Sequence, residues 1–178
     1  MGLFTFWRKP LTKKNQNKMK KIDSLNQVSE FHRTFKHPIL ETPQIPEEKR
    51  STLRVSLLQE ELNELKEAIA ANDLVEVADA LCDIQYVLSG AVLEFGLAEK
   101  FVDLFDEVQR SNMSKACNSE QEALDTVKYY KEERETEAYF KKEQNKYLVY
   151  RTEDNKTLKS INYSPADLKS IIDQAIQK

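Results

Sequence analysis

From residue 24 to 36, Leu25, Val28, Phe31 and Phe35 recur at the interval of a helix with one apolar face. Asp23 or Ser24 stands where an N-cap belongs, and Pro38 closes the run. A proline-bearing linker, ILETPQIPEEKRS, follows. The next apolar period predicts a helix from Thr52 to Ala71, a break at Asn72-Asp73, and another helix from Leu74 to Phe95 closed by Gly96. Joined by so short a break, the two form an αα-hairpin. LAEKFVDLFDEVQ predicts a fourth helix, and the charged, weakly amphipathic stretch at 119–146 predicts an inserted helical segment on the surface. YLVYRTEDNKTLKS alternates around Asp154-Asn155 and predicts a small β-hairpin, after which Ser164 and Pro165 open a last helix. The expected architecture is an all-α bundle built on the central hairpin, one domain over 22–178, preceded by a basic and poorly ordered tail at 1–21.

The hairpin carries an anomaly. Leu57, Leu58, Leu62, Leu65, Ala68 and Ile69 fill one arc of its first helix, and Glu61 falls inside that arc with Glu64 at its edge, whereas Glu60 and Glu67 turn toward solvent. Its second helix is apolar on every side, the mark of a helix covered all round, yet Glu76, Asp79 and Asp83 share one stripe. Carboxylates so placed cost several kcal/mol in desolvation and repel one another unless a cation joins them. Asp73-x-x-Glu76 also reads as a capping box, but capping leaves Asp79 and Asp83 unexplained. Arg54 is the one basic residue on the apolar arcs, and one arginine does not balance four acids. Oxygen donors at this spacing on facing helices suit Mg²⁺ or Mn²⁺. A di-iron bundle would need Glu-x-x-His, which neither His32 nor His37 completes, and His32 is expected as a packed core histidine.

Composition narrows the chemistry further. Three glycines in 178 residues exclude the glycine-cradled phosphate loops, so any phosphate must be held by side chains and metal. A net charge of −3 with interspersed signs gives no electrostatic reason to bind nucleic acid. The apolar run LFTFW is too short for a membrane span. Cys82 and Cys117 have neither metal-site nor disulfide-framework spacing, which fits a reducing cytoplasm.

EExxE (Glu60-Glu61-Leu62-Asn63-Glu64) followed by ExxD (Glu76-Val77-Ala78-Asp79) resembles the all-α nucleoside triphosphate pyrophosphohydrolases, the MazG-like and phosphoribosyl-ATP-pyrophosphohydrolase-like group related to dimeric dUTPases. DEVQRSNMSKA and NKTLKSINYSPADL are similar to blocks of a phage and bacterial branch, so the resemblance spans most of 22–175. It implies Mg²⁺ held by Glu61, Glu64, Glu76 and Asp79, with Glu60 orienting water or a second metal; Asp83, marked by the helical stripe alone, is an additional candidate acid. The implied reaction cleaves a nucleoside triphosphate between its α- and β-phosphates to a monophosphate and pyrophosphate, in a homodimer or larger assembly. Arg110, Asn112, Lys115, Lys159 and Tyr163 are the candidates for phosphate and nucleoside contacts; Asn112 and Ser114 read equally as helix-terminating residues, and Tyr163 as core. The alternative is an inactive helical module that uses the same bundle to dimerise, but such a module has no reason to retain the acid set complete.

Overall fold

The computed structural model describes residues 20–176; the expected N-terminal tail lies outside them, apart from Lys20 and Lys21. The first apolar period forms α1, Ser24–Phe35, with Val28 and His32 buried. It stops where Lys36 turns left-handed and the His37 N–H reaches the His32 carbonyl at 2.8 Å. The linker then runs along the end of α3, Leu74–Glu94: Leu40 N–H donates to the Leu93 carbonyl and Gln44 N–H to the Phe95 carbonyl. Gly96 makes that crossing possible. Its φ is +68°, and a Cβ there would lie 2.0 Å from the Thr42 carbonyl oxygen, so only glycine fits.

The helix α2, Glu48–Ala70, begins four residues before the expected Thr52. Pro46 and the acidic Glu47-Glu48 pair suit a helix start through fixed φ and the N-terminal dipole, signals that an apolar period does not register. Between α2 and α3 the turn is as expected: Asn72 takes φ 54° and the Asp73 carboxylate accepts the N–H groups of Val75 and Glu76. After Gly96 a 3₁₀ turn at Ala98–Lys100 leads into α4, Phe101–Met113, which packs with that turn and with α6, Leu168–Ile176.

Three boundaries differ from expectation in the C-terminal part. The inserted helix α5, Glu120–Arg134, is capped by Ser119 and ends when Glu135 turns left-handed, so it covers only the first half of 119–146. The remainder supplies a strand: β1, Ala138–Glu143, pairs antiparallel with β2, Lys146–Arg151, placing Ala138 opposite Arg151. The expected hairpin around Asp154-Asn155 also exists, because Leu158 N–H donates to the Val149 carbonyl and Arg151 N–H to the Lys156 carbonyl, so β2 is flanked on both edges. Finally, α6 starts at Leu168 rather than beside Pro165. Asp167 caps it through the Ser170 N–H, and Ser164, expected as the cap, is tied instead to the Ser114 hydroxyl of the α4 end.

The core is in two parts. Val28, Ala80, Val92 and Leu93 are buried where α1, α2 and α3 meet, while Cys117, Ala123, Val149 and Leu158 form a second cluster under α5 and the hairpin. The expectation that α3 is covered all round fails among the described residues: Leu74, Val75, Leu81, Tyr86 and Leu88 are exposed, as are Val102, Phe105 and Met113 of α4. Among the described residues no single helix is long and apolar enough to cross a membrane.

Candidate functional site

Glu61 of α2 and Asp83 of α3 lie equally far along the chain from the Asn72 turn, and Glu64 and Asp79 nearly so. Glu61 is half-buried, and its Oε2 is shut off from solvent with no hydrogen-bond partner. Burial, then the neighbouring Glu64, Asp83, Glu60 and Asp79, push its carboxyl above the ordinary 4.5. Five acids thus share one field. Glu60, Glu64 and Asp79 are exposed and Asp83 half-buried. Glu76 sits in the first turn of α3, exposed and beside the cap rather than among the groups acting on Glu61. In these rotamers no three Asp, Glu, His or Cys side chains among the described residues converge at metal-binding spacing. The donor set nevertheless fits a hard divalent cation: it is all carboxylate, and its most buried oxygen lacks any donor.

The candidate phosphate contacts gather elsewhere, around the end of α4. Arg110 is paired with Glu107 and also donates to the Ser164 hydroxyl and the Pro165 carbonyl. Asn112 accepts from Lys115 at 2.8 Å, and Tyr163 shares a hydrogen bond with Ser111. With these bonds RSNMSK fastens the tail segment YSP to α4, and none of them reaches an acid of the hairpin. Hydrogen bonds from Arg110, then from the Asp167 N–H, draw the Glu107 carboxyl down to about 2. Lys159 lies 4.3 Å above the Tyr163 ring.

A buried charge cluster escaped the sequence reading. Glu94, 1% exposed at the end of α3, is clasped by Arg50 and Arg54 of α2, with the Arg50 Nε at 3.0 Å. His32, also buried, sits between the Pro38 carbonyl, 2.9 Å from Nδ1, and Arg54, 3.4 Å from Nε2. A carbonyl only accepts, so Nδ1 carries the proton and Nε2 faces the guanidinium as acceptor, the neutral tautomer. Burial is the largest cause holding His32 below 6.5. Arg54, considered alone in the sequence, therefore answers an acid one turn beyond Gly90 and not the EExxE set; the available signal was the Arg50/Arg54 pair at i, i+4. At Gly90 a Cβ would come within 2.8 Å of Arg54 Nη1, so the glycine gives the guanidinium room.

Residues 28–112, which contain all of these acids, match the family described as phosphoribosyl-ATP pyrophosphohydrolase. By that match the segment is similar to the MazG-like all-α nucleoside triphosphate pyrophosphohydrolases. An uncharacterized protein of Acanthamoeba polyphaga mimivirus is similar at 27% identity, across 62% of this chain and 78% of the viral protein.

Proposed function

We propose that the chain is a Mg²⁺- or Mn²⁺-dependent pyrophosphohydrolase that cleaves a nucleoside or deoxynucleoside triphosphate at the α–β bond, a nucleotide-pool housecleaning activity of the cytoplasm, and acts as a homodimer. The observation that carries this reading is the partnerless Oε2 of Glu61 within a field of four further carboxylates, on the segment matched by the family. Glu61, Glu64, Glu76 and Asp79 would hold the cation, with Asp83, whose charge acts on Glu61, as a further donor. The bound ion would offset phosphate charge and lower the pKa of a water. Glu60, exposed next to Glu61 in the sequence, would orient a water, accepting a hydrogen bond from it, or hold a second metal. Arg110, Asn112 and Lys115 are proposed to face the phosphates or nucleoside, cations offsetting charge on the leaving pyrophosphate; Lys159 and Tyr163, expected with them, line a cavity beside α5.

The second reading, an inactive dimerisation module, draws on the exposed apolar faces of α3 and α4. Pyrophosphate release from a panel of nucleoside triphosphates, with Mg²⁺ and with chelator, separates the two. Metal-dependent product that disappears in Glu61→Gln and Asp79→Asn supports the hydrolase; no product from any nucleotide, together with no metal-dependent shift in melting, leaves the module.

A further inference from the structure

Outside the family-matched segment, a cavity of about 380 Å³ opens between the second half of α5 and the 159–163 segment. Its walls include Tyr129, Tyr130 and Tyr163, and its cations are Arg134 and Lys159. Two of the rings are pinned by their hydroxyls, Tyr130 accepting the Lys159 N–H at 3.2 Å and Tyr163 bonding Ser111 at 2.9 Å. Tyr129 crosses Tyr130 edge-on with centroids 5.5 Å apart. The cations are uncommitted in a way their neighbours are not. Lys128 and Lys131 of the same helix reach Glu132 and Glu137, whereas Arg134 donates to the Tyr129 hydroxyl and Lys159 rests on the Tyr163 ring, and neither meets a carboxylate among the described residues.

We propose that this cavity binds a mononucleotide, its phosphate between Lys159 and Arg134 and its base against the tyrosine faces, as a site separate from the acid hairpin. A cation held by an aromatic face keeps its full charge for an incoming anion, and a fixed aromatic wall stacks a planar base without losing side-chain freedom. The volume suits one small ligand. A nucleic-acid strand fits poorly, because Glu132, Glu133, Glu135 and Glu137 flank Arg134 and would repel the phosphates of a longer polyanion. Among the described residues the main packing of α5, β1 and β2 is with one another, and the cavity is lined only by residues of α5 and of 159–163, so the site does not need the hairpin to be complete.

Calorimetric titration of the full chain with AMP in the presence of chelator tests this away from metal chemistry. Sub-millimolar binding is expected, weakened about tenfold or more by Lys159→Met and by Arg134→Gln. Both side chains are exposed, so the melting midpoints of the two variants should stay at the wild-type value. Glu61→Gln should bind AMP as wild type does, whether or not the hydrolase reading holds. The proposal is overturned if AMP does not bind, if both cation variants bind it unchanged, or if inorganic phosphate binds as tightly as AMP. A short oligothymidylate binding about tenfold more tightly than AMP would overturn it in favour of a strand-binding surface.

Discussion

A carboxylate oxygen closed off from water and given no donor destabilises the fold that contains it, and Glu61 holds one beside four other acids. Its pKa is raised, so the unfolded chain releases this proton first as pH climbs past 4.5; stability falls through that window and remains lower above the native value. Glu61→Gln should therefore melt higher than wild type at pH 7 in chelator and no higher at pH 3. A gain of about 1 kcal/mol corresponds to roughly 2–4 °C. Mg²⁺ should reverse the order, raising the wild-type midpoint as its concentration exceeds its dissociation constant while the variant gains less. An acid engaged in a structural ion pair behaves oppositely, losing about 3–5 kcal/mol when neutralised. Calorimetric melts of both proteins with and without Mg²⁺ distinguish the cases, and a drop in Glu61→Gln without metal would exclude the cation-site assignment.

At the scale of elements, the join of α1, α2 and α3 depends on Glu94 and the two arginines around it. Burial alone would raise the Glu94 carboxyl, but hydrogen bonds from Arg54 and Arg50 outweigh it and hold the group below its ordinary range. Its contribution is thus present above pH 4.5 and lost as pH falls through the lowered native value. Glu94→Gln should cost about 3–5 kcal/mol at pH 7, because Arg54 is left buried with its charge unanswered. Chemical denaturation should show that difference shrinking in acid. His32 acts in the same direction at milder pH: its native pKa lies below 6.5, so stability full above that value should decline as pH drops under it, and His32→Gln should flatten the slope. These three helices also show what the sequence makes legible. Leu57, Glu61 and Leu65 reveal the hairpin and its acid stripe because period and residue type are local properties. Glu94 was not legible, because its partners lie 40 and 44 residues away and a lone glutamate at a helix end resembles any exposed one. The strand at Ala138–Glu143 was hidden differently: Lys141, Lys142 and Glu143 give it a charged outer half that shares its composition with the helix before it.

For the whole molecule the decisive feature is apolar surface left uncovered among the described residues. Leu74 and Val75 are 79% and 75% exposed at the start of α3, Leu81 is 52% exposed one to two turns further, and Phe105 on α4 is 63% exposed. Scattered apolar residues on a surface need no explanation, but these recur along two helices, and α3 has apolar side chains in every direction. A second copy of the chain is the expected cover, since a two-fold interface pairs each such patch with its own equivalent and stable ones bury about 1,200–2,000 Å² or more. Light scattering should then give twice the 20.7 kDa chain mass at micromolar concentration. Leu81→Glu or Phe105→Glu should shift the protein toward monomer, as a charge driven into an apolar contact costs several kcal/mol. Asp79 and Asp83 flank Leu81 on α3, so the interface and the acid field share a helix. Monomerised protein should accordingly lose metal-dependent pyrophosphate release while Glu94, buried within one chain, keeps its ion pairs and the helical circular dichroism persists. A wild-type mass near one chain would leave these faces without their expected partner.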